Sequence, residues 1–261
     1  MERGPLRDHA NRDQWEEEWT EFVAAGEDMR VQEIIDGMKL IHLQPFIRGE
    51  NIRCSLEVGC GTGNLSSRLS ALGYRTTCLD FSGTAIRLAQ KRYFRDGLKG
   101  AFIQGDAFQL PFRSESFDLV LSTGLLEHFA DPQLVVNEMV RILRTGGAFY
   151  SDIWPKKFSL FRAFDVLRRI KNRLRGRREM FERRFDERTI QGMLEVAGLS
   201  GIQVFPAGVF PPILPVVFRV RGVLELYSVL LGKLARFSMS LDGSGMAKVL
   251  GCYYFVAGFK K

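Results

Sequence analysis

The chain has 261 residues, 46% hydrophobic and 26% charged, with a net charge of +7. That balance excludes a disordered chain, and the length suits one large domain or one domain carrying insertions. Cys54, Cys60, Cys78 and Cys252 show neither CxxC nor Cys/His spacing, which argues against a zinc ribbon and a disulfide scaffold.

The opening MERGPLRDHANRDQWEEEW is charged where a secretory signal would be apolar, so a reducing, cytoplasmic setting is expected. Residues 1–50 read as helical, with Trp15, Trp19 and Phe22 at spacings of four and three. Such a stripe is more often core than ligand contact. From Cys54 to Ile153 short apolar runs alternate with helical stretches. CSLEVG reads as a strand, Leu65–Leu72 as a helix, TTCLD as a second strand, and Thr84 to about Phe94 as a helix. AFIQGD and FDLVLST follow as strands three and four. Pro132 suits a helix N-terminus, and that helix is expected to run to Leu143, where Thr145-Gly146-Gly147 would end it. AFYSDIW gives strand five, Glu187–Ala197 a helix ending at Gly198, GIQVFP strand six and CYYFVAGF strand seven. Strands separated by helices, without hairpin spacing, predict an α/β fold: a doubly wound, seven-stranded, mostly parallel sheet.

Two segments interrupt this alternation. Between Lys156 and Arg178 ten basic residues face one acid, Asp165; this stretch carries +9 and the remainder −2. At helical spacing Leu160, Ala163, Phe164, Leu167, Ile170 and Leu174 share one face, with Arg162, Arg168, Arg169, Arg173 and Arg175 largely opposite. Ile213–Leu231 is apolar but broken by Pro215, Arg219, Arg221, Gly222 and Glu225, so an amphipathic cap helix is expected rather than a membrane span. One domain is expected over 1–261. It comprises a helical lid (1–50), a core (51–153), a basic insertion (154–185), and a C-terminal half (186–261) with a second insertion at 211–245.

Leu56-Glu57-Val58-Gly59-Cys60-Gly61-Thr62-Gly63-Asn64 runs a strand into a turn with glycine at every second position. Glycines there let a ligand approach the backbone. A dinucleotide fingerprint would place its third small residue at 64, where Asn64 stands, and no Walker lysine follows. Asp80 ends strand two, where a carboxylate can accept from both ribose hydroxyls, and Asp106 ends strand three, where one can accept from an exocyclic amine. In a doubly wound sheet these loops gather at the carboxyl ends of the strands, so the set suits an adenosine without requiring a phosphate.

At this point the sequence resembles the class I S-adenosylmethionine-dependent methyltransferases. The matching pieces are LEVGCGTGNLS (56–66), CLDFSGTAI (78–86), GDAFQLPF (105–112), SFDLVLSTGLLEHF (116–129) and RILRTGG (141–147). The nearest resemblance is to the small-molecule enzymes of ubiquinone and menaquinone biosynthesis. The resemblance implies S-adenosyl-L-methionine as cofactor. Glu57, Gly59, Cys60, Gly61 and Gly63 would then lie at its methionine end, and Asp80 at the ribose. Phe81 would border the adenine, Asp106 and Ala107 read its edge, and Ser122 and Thr123 face it from the other side. It also implies that the N-terminal helix lids the site.

Among the histidines, His9 sits in a polar stretch and His42 on an apolar-rich helix, whereas His128 follows strand four at the ligand-facing end. His128 is the candidate base for an acceptor that must lose a proton; the alternative is that it fixes its loop by bonding backbone. Some relatives carry an acid three residues before the Glu-His pair and hold a divalent metal; here that position is Gly124, and no metal site is expected. The implied reaction is methylation of oxygen or carbon on a small, hydrophobic or lipid-linked acceptor. The basic 156–178 segment fits an anionic membrane surface, which would make the protein peripheral to the membrane. An RNA-binding face, a plain lid, and a cofactor-binding pseudoenzyme that serves as a partner subunit are the other readings. Nucleic acid is the less expected partner, because Phe158, Phe161 and Phe164 suit packing better than base stacking.

Overall fold

A computed structural model describes residues 12–25, 30–47, 53–156, 181–209 and 221–261. Two helices, α1 (Arg12–Ala25) and α2 (Arg30–Ile47), precede an alternating core. The core runs β1 (Cys54–Val58), α3 (Asn64–Ala71), β2 (Arg75–Asp80), α4 (Gly83–Arg95), β3 (Gly100–Gln104), β4 (Phe117–Thr123), α5 (Pro132–Ile142) and β5 (Leu143–Ile153). The C-terminal half supplies α6 (Glu187–Val196), β6 (Leu199–Ala207), α7 (Arg221–Leu241), α8 (Gly245–Leu250) and β7 (Tyr253–Lys260). The helix starts carry their own caps: Ser82 accepts from Ala85 N, Asp131 from Gln133 N ahead of Pro132, and Asp186 from Thr189 N.

The strands form one sheet in the order β3-β2-β1-β4-β5-β7-β6. The pairs from β3 to β5 are parallel, whereas β7 runs antiparallel to both β5 and β6. Side chains alternate between two cores. Leu56, Val58 and Val120 pack with Val135 and Met139 of α5 and Ile190 of α6, while Leu119, Leu121 and Tyr150 pack with Leu43 of α2, Leu69 of α3 and Leu231 of α7. Helices therefore cover both faces, and the middle strands are buried along their length.

Two expectations need correction. Thr145-Gly146-Gly147 does not end a helix. The helix stops at Ile142 and passes straight into β5, whose register against β4 jumps from Phe117↔Leu143 to Leu119↔Ala148. Gly146, at φ 74°, belongs to the extra residues that bulge there. The cap expected to end at Leu231 runs further: the described part of α7, from Arg221, extends to Leu241, while 210–220 lie outside the described residues. Of the basic 156–178 segment only Lys156 is described. No described helix is long and apolar enough to cross a membrane.

Candidate functional site

The turn after β1 is tied to the end of β2. Gly59 N and Cys60 N both donate to the Leu79 carbonyl at 2.8 and 3.0 Å. Gly59, Gly61 and Gly63 all take positive φ, at 69°, 51° and 65°, which a side chain would strain. A Cβ at Gly61 would stand 2.9 Å from the Trp19 ring of α1, so the loop presents bare backbone to whatever covers it.

Asp80 is buried at the head of β2. Its Oδ2 accepts from Gly61 N and its Oδ1 from Ser82 N, each at 2.9 Å. One backbone donor per oxygen leaves each able to accept another. Burial pushes the Asp80 carboxyl up to about 6 despite those bonds. Asp106 Oδ1 accepts from Phe108 N at 3.0 Å, fixing the turn after β3, and Ala107 beside it is buried. The Phe81 carbonyl accepts from Gln104 Nε2 at 2.9 Å. Glu57 is buried in β1, its Oε2 accepting from Ser66 N at 3.1 Å, and burial first, then nearby Asp36, lifts it to about 7. The neighbouring Cys78 thiol and then burial raise the Cys60 thiol.

The structure gathers these groups and Thr123 at the carboxyl ends of β1, β2, β3 and β4. Ser122 is the exception in orientation: it is fully buried, and its Oγ lies 3.0 Å from Ser151 Oγ on β5. His128 sits on the 3-10 turn Leu126–His128, its Nδ1 3.2 Å from the Phe181 carbonyl. A carbonyl only accepts, so in this contact Nδ1 of His128 is the donor.

The aromatic stripe of α1 spans both halves of this region. Trp15 and Trp19 stack with centroids 6.3 Å apart, Trp15 meets the His128 ring edge-on at 4.9 Å, and Trp19 lies over Gly61. Glu16 of the same helix bonds the hydroxyls of Ser82 and Thr84 at the start of α4, and those bonds pull its carboxyl below the usual range. The Phe22 side chain lies outside what the structure describes.

A buried charge cluster joins α2 to the sheet, and neither composition nor motif announced it. Lys39 Nζ lies 3.2 Å from Asp36 Oδ1 and 2.6 Å from Asp152 Oδ2 at the end of β5. Asp152 Oδ1 accepts from Gly124 N at 2.7 Å, and Asp36 Oδ2 accepts from Asn64 Nδ2 at 2.5 Å. Burial works against the lysine charge, but Asp152 and Asp36 outweigh it and hold Lys39 above its ordinary range. Nearby Glu127 is 1% exposed, and neither carboxyl oxygen has a hydrogen-bond partner among the described residues. Burial, reinforced by Asp152 and Glu182 and opposed by Lys39, pushes it up to about 8. The only signal for Glu127 in the sequence was its place before His128; for Lys39 it was spacing from Asp36 alone. Among the described residues no three His, Cys, Asp or Glu side chains converge as a metal site requires.

This strand order, the reversed last strand and a glycine turn after β1 make a Rossmann-like α/β fold that solved methyltransferase structures share. Residues 56–151 match the family described as a methyltransferase domain. The chain is 42% identical over 103 residues to a probable phthiotriol/phenolphthiotriol dimycocerosates methyltransferase 2 of Mycobacterium ulcerans, covering 38% of this chain and 39% of that one. It is 38% identical over 117 residues to a fatty-acid O-methyltransferase of Mycolicibacterium smegmatis, covering 43% and 40%. The matched part thus spans about two-fifths of the length of these curated relatives. Among solved structures, a Haemonchus contortus phosphoethanolamine N-methyltransferase 2 in complex with S-adenosyl-L-methionine shares the fold. Its TM-score is 0.62 at 15% identity, over 98% of this chain and 60% of that one.

Proposed function

We propose that the protein is an S-adenosylmethionine-dependent methyltransferase acting on an oxygen or carbon of a hydrophobic, lipid-linked acceptor. The observation that carries the reading is the left-handed glycine turn Gly59–Gly63 set against Asp80, each of whose oxygens spends one acceptor position on backbone. Bare backbone and a two-pronged acceptor one strand apart suit the methionine and ribose ends of one ligand. The Trp19 ring lying against Gly61 supports a surface that a group can approach closely.

When bound, S-adenosylmethionine supplies a methyl group already activated on a sulfonium. What remains for the chain is alignment, exclusion of water and, for a hydroxyl acceptor, removal of a proton. Gly59, Cys60, Gly61 and Gly63 would lie along the methionine end near Glu57, and Asp80 would hold the ribose. Phe81, Asp106 and Ala107 would frame the adenine, with the backbone of Ser122 and the side of Thr123 opposite. Trp15 and Trp19 would cover the site, and Nε2 of His128 would receive an acceptor proton. The relatives named for lipid substrates support a hydrophobic acceptor. The basic 156–178 segment would meet an anionic membrane surface from the cytoplasm.

Calorimetric titration with S-adenosylmethionine and S-adenosylhomocysteine tests the cofactor half, with Asp80→Ala as control. We expect micromolar binding, weakened about tenfold or more in the variant, since two hydroxyls lose their acceptor. Absence of binding to the folded wild-type chain, or binding indifferent to Asp80, would overturn the reading.

A further inference from the structure

Helix α7 is apolar on two opposite faces. Tyr227, Ser228, Leu231 and Ser238 turn inward, where Tyr227 and Leu231 pack against the core shared with α2. At 100° per residue Leu226, Val229, Leu230, Lys233 and Phe237 fall within one stripe on the far side. Those apolar side chains are exposed, Leu226 by 70% and Phe237 by 63%. The short helix α8 exposes Met246 and Val249 as well. A run of large apolar residues on the outside of a helix whose inside already fills a core calls for a covering partner.

The charges identify that partner. Lys233, Arg236 and Lys248 are exposed among these apolar residues. Glu225 is the single acid of α7, at its first turns, and α8 has none. Asp242, just beyond α7, is engaged by His42 Nε2 at 2.7 Å and by Gly208 N at 2.9 Å. A second copy laid on this face would add the same excess of cations, with Glu225 the one acid that each α7 brings. A layer of anionic headgroups over hydrocarbon suits both components, because the apolar residues enter the acyl boundary while the cations reach outward to phosphate. We infer that the outward face of α7, with the exposed residues of α8, docks on an anionic lipid surface. This face lies away from the cofactor loops and is made of residues other than the basic 156–178 stretch, so the inference stands whether or not the methyltransferase reading does.

The test is co-sedimentation of the full chain with vesicles of phosphatidylcholine and phosphatidylglycerol in about equal amounts, beside phosphatidylcholine alone. The variants are L230D/F237D for the stripe, K233E/R236E/K248E for its charges, and R168E/R169E/R173E for the other segment. We expect L230D/F237D to lower partitioning by about tenfold or more. The charge variant should remove the preference for anionic vesicles contributed by this face and flatten the salt dependence. Thermal stability should be unchanged, since every substituted α7 and α8 side chain is exposed.

Partitioning equal to wild type in L230D/F237D overturns the inference. So does loss of all vesicle binding in R168E/R169E/R173E alone, which assigns the membrane to that segment. Concentration-dependent self-association abolished by L230D/F237D, without vesicle binding by wild type, would make the face an interface between copies. A lowered melting temperature in L230D/F237D with unchanged vesicle binding would mean that the chain covers the stripe itself. A wild type that ignores anionic vesicles refutes the docking while leaving the cofactor titration untouched.

Discussion

Lys39 offers a sharp test of how helix α2 is held against the sheet. Its ammonium lies within ion-pair distance of Asp36 and Asp152, and all three groups are buried. Lys39→Met keeps most of the side-chain volume but leaves two interior carboxylates without their cation. Breaking a buried pair by removing one partner costs about 3–5 kcal/mol. In a chain of this size that corresponds to a melting temperature lower by roughly ten degrees. The loss should also grow with pH. Glu57 and Glu127, lifted to about 7 and about 8, are both held down in part by Lys39, so without it both rise further. A carboxyl raised above its unfolded value stabilises the fold while protonated and loses that contribution as pH climbs. Urea denaturation of wild type and variant from pH 5 to 9 would show a narrow gap at the acid end and a wide one at the alkaline end. Adding Asp152→Asn to Lys39→Met should recover part of the loss, because one stranded charge disappears. A loss under about 1 kcal/mol, independent of pH and unaffected by the second substitution, would be the signature of a surface pair and would refute the reasoning.

Two further outcomes follow from the same geometry. Glu127→Gln should match wild type near pH 5 and become progressively more stable above it, by about 1.4 kcal/mol per pH unit until the wild-type group ionises near 8. Denaturation midpoints across that window decide it, and parallel pH profiles would show that Glu127 is paired in solution. Gly61→Ala places a methyl at φ 51° and 2.9 Å from the Trp19 ring, a backbone cost of about 1–2 kcal/mol before the clash. Calorimetry should find S-adenosylhomocysteine affinity reduced, and adding Trp19→Ala should restore stability lost to the clash but not the affinity; full affinity in Gly61→Ala would separate the turn from the ligand.

The strands from Cys54 to Ile153 were legible because each is a short apolar run bounded by its own turn chemistry, and the glycine turn because positive φ demands glycine locally. Thr145-Gly146-Gly147 misled because a bulge and a helix end ask for the same residues; only the pairing of β5 with β4 separates them. Likewise nothing within CYYFVAGF states that it runs against its neighbours. The site divides along the same line. Asp80 and Asp106 stand at strand ends and announce themselves, whereas Lys39 meets Asp152 from helix α2, far away in the sequence. A lone lysine on an apolar helix reads as surface until its partner is known. Ser122 shows the converse, since strand-end position alone did not reveal that its hydroxyl faces Ser151.

The placement of β7 bears on how the chain comes together. Among the described residues β6 pairs with β7 and with no other strand, and β7 is the strand that joins it to β5. During synthesis β6 leaves the ribosome with both edges open and waits, through α7 and α8, for the segment that will anchor it. The parallel half up to β5 can assemble early, whereas the far edge closes in a single late event of long sequence separation. Deleting residues from Tyr253 onward would therefore remove one strand and set a second adrift, exposing the edge of β5 to aggregation.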